Sequence, residues 1–392
     1  MLIKKISFVI IIIVSVVITQ EAMLRILCFA IPSINAKFGL VVLDKKLGFV
    51  RPIPNSLDRD KRGWRNKNVP ARVSIVALGD SQTYGLGVAL SQAWPQQLEE
   101  ISKISTYNMA YGSYGPVHSL CLWQEAVSMK PKLIIEAFYA GNDLYDSYNL
   151  VYGEGRFKNL KTCDPNILKS IKYMDNIETL QDRVSFLYND GRKIRKHLPL
   201  EKFLAAHSKI YILLVKIINK FKSFKKTQLL YENFNDGKFL TVFMPDYRLE
   251  AINLNDSRIA EGLRISLEAM NIMNDNSRKE NIKFIVLLIP TKELVFKNLV
   301  PIGFSDVYRK HIESEEMLFR KMREFLQSHQ VDFVDALPFL RKAFLLGEQP
   351  YPVNQDGHPN EIGHYMIAEG LSYKIKELYG NLSPEDTPVN GK

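Results

Sequence analysis

Cysteine is scarce. Cys28, Cys121 and Cys163 are the only three in 392 residues, too few for a disulfide framework or a cysteine-ligated metal cluster. Cys28 adjoins an apolar segment, which leaves Cys121–Cys163 as the one internal bridge available, and free thiols are the expected state. The seven histidines show no spacing suited to zinc. No metal site is therefore expected, and the side-chain chemistry described below needs no organic cofactor. Positive charge is not spread along the chain either. Residues 151–230 hold 17 Lys and Arg against 7 Asp and Glu, an excess equal to the whole formal charge of +10. The remainder is balanced, which argues against a global nucleic-acid surface. With 46% hydrophobic and 24% charged residues, the composition is globular and the chain long enough for a large core.

Long apolar runs are also few. The uncharged run Ile6–Thr19 spans fourteen residues, short of the roughly 20 that a full bilayer crossing needs. Lys4 and Lys5 precede it, and Glu21 and Arg25 interrupt its continuation. Residues 1–31 read as a signal anchor, with a cleaved signal (Ile34-Asn35-Ala36 is a weak cleavage site) or a buried amino-terminal helix as the alternatives. The early lysines would hold the start in the cytoplasm and send the rest across, giving a membrane-anchored, extracytoplasmic chain.

Residues 32–72, with Pro52, Pro54 and Pro70, read as a linker lying over the main domain. Five β-rich runs follow: Val73–Leu78, Thr106–Ala110, Leu133–Phe138, Phe284–Ile289 and Val331–Val334. Helical stretches separate them, among them one opening at Trp94-Pro95 and one beginning at Asn360. This alternation predicts an α/β fold with a five-stranded parallel sheet covered by helices on both faces. The main domain is expected over 73–150 and 255–380, and a tail over 381–392. Between them, 151–254 breaks the alternation and reads as an inserted, basic, mostly helical lid. Its clearest helix, 204–226, sets Ile210, Leu213, Leu214, Ile217 and Phe221 at helical spacing against Lys209, Lys216, Lys220 and Lys222. Such a helix either packs on its own domain or lies on an anionic membrane.

The chemistry gathers where strands end. "ALGDSQTYGLG" (77–87) stops the first strand on Gly79 and then sets Asp80 beside Ser81. Ordinary turn chemistry explains the tripeptide by itself; a nucleophile at a strand end explains it too. A serine needs a base, and the base an orienting acid. "NQDGHPNEIGH" (354–364) supplies both, because Asp356 and His358 point the same way on an extended segment. An oxyanion needs donors. Asn142 in "FYAGNDLYD" follows the third strand, and the loop "YNMAYGSYGPVHS" with Ser113 follows the second. Gln82, next to Ser81, and Lys292, after the fourth strand, are the substrate-contact candidates. Asp80 and Asp143 read as turn-shaping acids and His364 as a structural helix residue.

These four blocks, in this order, resemble the SGNH or GDSL-type hydrolases: "GDSQTYGLGV", "NMAYGSYGP", "AGND" and "DGHPNEIGH". The resemblance spans residues 73 to about 375, with the insertion unmatched. It implies a flavodoxin-like three-layer α/β/α domain and a serine esterase or acyltransferase. Its triad would be Ser81, His358 and Asp356, and its oxyanion donors the N–H groups of Ser81 and Ser113 and the amide of Asn142. Acylated small molecules or glycans would be the substrates. Two departures stand out. Ser113 occupies a place where many relatives carry glycine, and Asp-x-His is a spacing that resembles the polysaccharide O-acetyltransferase branch. A catalytically inactive glycan-binding relative and a basic membrane-docking protein are the non-enzymatic alternatives.

Overall fold

The computed structural model describes residues 15–27, 41–43, 49–52, 54–55, 58–70, 72–177, 208, 210–211, 213–214 and 231–380. The chain divides into two units, 1–63 with 178–228, and 64–177 with 229–392.

In the first unit residues 15–27 are helical, and β1 (Val41–Leu43) pairs antiparallel with β2 (Val50–Pro52). Glu21, the acid that interrupts the apolar run, accepts bonds from the Ser208 hydroxyl and the Ile210 N–H and pairs with Arg25. No described helix is long and apolar enough to cross a membrane. Residues 1–14 and 28–31 of the expected anchor lie outside the described residues. So do 178–207 and 215–230 of the expected insertion, and with them most of the basic helix at 204–226, and the tail at 381–392.

The second unit is built on five parallel strands: β3 (Ile75–Gly79), β4 (Thr106–Asn108), β5 (Leu133–Tyr139), β8 (Lys283–Ile289) and β9 (Asp332–Asp335). They lie in the order β4-β3-β5-β8-β9, which is 2-1-3-4-5 in sequence order and the flavodoxin-like arrangement. All five expected strands are present, each within two residues of its expected bounds. Every residue of β5 is buried, and all of β8 but Lys283. Their near-continuous apolar sequences, LIIEAFY and KFIVLLI, are those of parallel strands covered on both faces.

The covering helices are α2 (Trp94–Ser102) and α11 (Glu361–Tyr379), which pack on each other, and the set α3 (Pro116–Val127), α7 (Ser257–Lys279) and α9 (Asp306–Ser328), which forms the second layer. Right-handed crossovers in this strand order require that division. Caps set several helix starts. Asp256 accepts from the Arg258 N–H to begin α7, and Asn360 accepts from the Ile362 and Gly363 N–H groups to begin α11.

The stretch read as linker divides at Gly63, where the first unit ends: Trp64 is fully buried in the second unit and Asn66 pairs with the backbone of Asn108. One feature departs from the sequence reading. Within the stretch read as helical, β6 (Glu232–Asn235) and β7 (Leu240–Phe243) form an antiparallel hairpin, followed by α6 (Pro245–Ala251). Asp236 turns the hairpin by accepting the N–H groups of Lys238 and Phe239, with Gly237 at φ 88°.

Candidate active site

The strand order reverses between β3 and β5, and in open α/β sheets the crevice beyond the carboxyl ends at that point receives ligands. Ser81 lies just past β3. Gly79 explains why the strand stops where it does. Its φ is 142°, and a β-carbon there would stand 2.6 Å from Thr83 Oγ1 and 2.8 Å from the Ala137 carbonyl of the neighbouring strand. Asp80 then caps the short helix α1 (Ser81–Tyr84): its carboxylate accepts the Gln82 N–H at 2.8 Å and lies 3.3 Å from Ser81 Oγ. Ser81 thus sits at the first position of a helix, its N–H directed outward with no helical acceptor.

His358 arrives from the other end of the chain, on the loop entering α11. Its Nε2 stands 2.9 Å from Ser81 Oγ, and its Nδ1 stands 2.6 Å from Asp356 Oδ1, which also accepts the His358 backbone N–H at 3.0 Å. The imidazole is thereby assigned as Nδ1–H toward the acid, with Nε2 accepting from the serine hydroxyl. Burial raises the Asp356 carboxyl, but the bonds and charge of His358 outweigh it and hold the group below its ordinary value. The carboxylate therefore stays ionised beside the ring.

The two loops are held by cations. Arg65 donates to the carbonyls of Tyr84, Gly85 and Val88, and its guanidinium lies over the Tyr84 ring. Lys292 donates to the carbonyls of Val242 (2.7 Å), Asn354 (2.9 Å) and Asp356 (3.2 Å). Lys292 opens α8 (Lys292–Phe296) and is 1% exposed. The substrate contact expected of it is thus corrected: its three N–H groups are engaged by backbone. Gln82 is buried as well, and its amide points to the Gly357 carbonyl at 3.5 Å.

Of the expected oxyanion donors, the N–H groups of Ser81 and Ser113 have no protein acceptor among the described residues. Ser113 stands at φ 64° in the turn closed by Tyr114 N–H to Tyr111 O, a turn that faces Ser81: a β-carbon on Gly112 would lie 3.9 Å from that of Ser81. Asn142 differs from the expectation. It precedes α4 (Asp143–Tyr148), and its amide donates to Asp146 Oδ2 at 2.7 Å and to Asp143 Oδ1 at 3.2 Å. Its hydrogens are drawn inward because a group of acids lies beneath the site. Burial raises Asp80 from its ordinary value, and burial together with the Asp80 charge raises Asp143 well above its own. Asp143 Oδ2 accepts the Tyr139 N–H at 2.9 Å. Glu136, at the centre of β5, is fully buried and raised by burial to about 8.

Sequence reasoning missed Arg65 and Arg248. Arg248, on α6, is buried, lies over the rings of Tyr139 and Tyr247, and is 3.8 Å from Glu293. Its guanidinium fills the space that a β-carbon on Gly357 would need. No local sequence signal marks either arginine. His364 is buried and neutral, lowered by burial to about 3, and accepts the Trp94 N–H. Among the described residues no group of three or more His, Cys, Asp or Glu is placed to hold a metal.

No protein-family model matches this chain, and no curated protein does. Solved structures do. The acetylxylan esterase Axe2 of Geobacillus stearothermophilus, as a catalytic mutant, is 10% identical over 78% of this chain and 95% of that one, with a TM-score of 0.38. A GDSL-like lipase of Bacteroides thetaiotaomicron is 10% identical over 78% and 88%, with a TM-score of 0.33. The α/β hydrolase LAE5 from the metagenome of Lake Arreo, Spain, is 10% identical over 76% and 93%, with a TM-score of 0.35. The functional reading is carried by the site's own geometry.

Proposed function

We propose that this protein is a serine-dependent ester hydrolase of the SGNH type, acting on acyl esters, acetyl foremost. One observation carries the reading. Side chains 277 positions apart form an unbroken relay, Ser81 Oγ to His358 Nε2 to Asp356, at the carboxyl edge of the sheet. In the reaction Ser81 Oγ attacks the ester carbonyl carbon while His358 Nε2 takes the hydroxyl proton. Asp356 orients the ring and stabilises its charged form. The Ser81 and Ser113 N–H groups receive the developing oxyanion. Asn142 Nδ2 reaches it by exchanging its 3.2 Å bond to Asp143. The tetrahedral intermediate collapses, the C–O bond to the leaving alcohol breaks, and that alcohol takes the proton from His358. Water, deprotonated by His358, then cleaves the acyl-enzyme and frees the carboxylic acid and Ser81.

Transfer of the acyl group to a sugar hydroxyl is the second reading, favoured by the Asp-x-His spacing of residues 356 and 358. It requires only that the acceptor hydroxyl replace water in the second half-reaction. The apolar amino terminus supports an extracytoplasmic, membrane-anchored setting for either.

A fluorophosphonate probe tests the reading. Wild type is expected to take one adduct, located on Ser81 by mass spectrometry, and Ser81→Ala none. A wild-type protein that stays unlabelled while folded overturns it and leaves the glycan-binding alternative. Hydrolysis of p-nitrophenyl acetate with and without oligosaccharide separates the acceptors: acetylated sugar as main product identifies a transferase.

A further inference from the structure

The Asp356 loop does not position itself. It is irregular, and the β6–β7 hairpin and two buried cations, Arg248 against Gly357 and Lys292 on the carbonyls, brace it. Thr241 on β7 donates its hydroxyl to Pro352 O at 3.0 Å, and the backbone of Leu240 exchanges bonds with the Gln349 side chain. Lys292 then ties three carbonyls from two elements to one nitrogen: Val242 from β7, and Asn354 and Asp356 from the loop. Lys292 is itself fixed. Thr291 before it caps α8, and the Thr291 backbone N–H and hydroxyl both donate to the Glu315 carboxylate, with His311 Nε2 2.9 Å from the same group. From Lys292 the bonds run on to the reacting atoms. Asn354 Oδ1 accepts the Asp356 N–H, Asp356 holds His358, and His358 meets Ser81.

Resting on the hydrolase reading above, we propose that Lys292 is a positioning residue whose ammonium sets the Asp356–His358 pair through the carbonyls of the loop, so that loss of its charge disables the site at alkaline pH. The stoichiometry gives the reason. An ammonium has three N–H groups, and three carbonyls take them. The neutral amine keeps two and turns a lone pair toward a carbonyl oxygen, so one bond becomes a repulsion. The groups facing Lys292 make this change accessible. Burial drives the proton off, the Glu293 and Asp356 charges retain it, and Arg248 opposes it, with His311 and Glu315 behind Glu293. The balance lowers Lys292 to about 8.

The test follows the fluorophosphonate labelling rate from pH 6 to 10, kcat and KM for p-nitrophenyl acetate, and hydrogen exchange over residues 352–358. In wild type the labelling rate falls by about tenfold or more on the alkaline side, with a midpoint near 8. Lys292→Met lowers kcat by roughly ten- to a hundredfold, the cost of a loop displaced by about an ångström, leaves KM little changed and removes the alkaline limb. Lys292→Arg, charged throughout, recovers part of the rate and is flat to pH 10. Glu136→Gln keeps the limb, which separates Lys292 from the buried acid that titrates in the same range. An alkaline limb that is absent from wild type, or that persists in Lys292→Met, overturns the proposal. If Ser81 proves unreactive at every pH, the hydrolase reading fails and exchange decides the positioning claim alone. Faster exchange at the Asp356 and His358 amides, in Lys292→Met or in wild type above pH 8 after correction for the intrinsic rate, supports it; unchanged protection refutes it. The wild-type measurement needs no variant to fold.

Discussion

Glu136 sits in the middle of the central strand β5, with no exposed surface and neither carboxyl oxygen in hydrogen-bond geometry with a described residue. Burial raises its pKa to about 8, the Ser119 hydroxyl opposes the shift, and the Asp80 charge adds to it. The folded protein therefore holds this proton to about pH 8, whereas the unfolded chain releases it near 4.5. Between those values the native state binds more protons than the unfolded one, and stability falls as pH rises. Each unit of pKa difference corresponds to about 1.4 kcal/mol. From pH 5 to pH 8 this one side chain removes roughly 3.5 kcal/mol, a large fraction of a domain's net stability. Glu136→Gln keeps the size and removes the ionisation. Denaturant unfolding of both proteins at half-unit steps across that range should give difference curves that diverge steadily, with the glutamine variant losing less stability per pH unit. Parallel curves would refute the reasoning, for they would mean that Glu136 ionises in the folded protein as it does in water. Absolute stability is the weaker readout, because the glutamine amide brings two hydrogens that also need acceptors in that strand.

Three further outcomes follow from single contacts. Asp356→Asn should leave the fold intact and lower kcat by about ten-thousand-fold, since the amide favours the wrong imidazole tautomer; steady-state kinetics on p-nitrophenyl acetate reads this, and a loss under tenfold would remove Asp356 from the relay. Gly357→Ala should displace the buried Arg248 guanidinium from between Gly357, Tyr139 and Tyr247, so labelling of Ser81 slows at least tenfold and the melting temperature drops; a silent substitution would show that Arg248 is not wedged there. Ser113→Gly should stabilise the protein by up to about 1 kcal/mol, because φ 64° is disfavoured for a serine and free to a glycine, and should leave labelling undiminished. A lower melting temperature would indicate that the Ser113 side chain contributes more than its backbone costs.

The strands were legible because parallel strands buried on both faces need unbroken apolar runs, and LIIEAFY and KFIVLLI can do little else. The candidate Ser81 was legible because it stands where a periodic strand ends, and Asp356 and His358 because they stand two apart on the loop that opens the last helix. The hairpin β6–β7 departs from the helical expectation because Asn235-Asp236-Gly237 is a turn signal but the strand before it, ENFN, holds one apolar residue, while the basic residues upstream dominate the insertion. What Lys292 and Gln82 do was out of reach. Their place at the sheet edge is set by local sequence, but whether a side chain meets substrate or backbone depends on which distant loop packs over it. The inward turn of the Asn142 amide is of the same kind, since Asp146, one helical turn on, takes a hydrogen that a strand-end reading leaves free.

Sequence by itself determined the sheet, its alternation with helices and the residue types able to perform acyl transfer, because these depend on periodicity and on chemistry local to a few positions. Only the tertiary structure decided that a hydroxyl at 81 and an imidazole at 358 stand 2.9 Å apart, that Arg65 and Lys292 serve as carbonyl clamps, and that Glu136 keeps its proton. Distance, burial and hydrogen-bond partner are properties of chain segments brought together by folding.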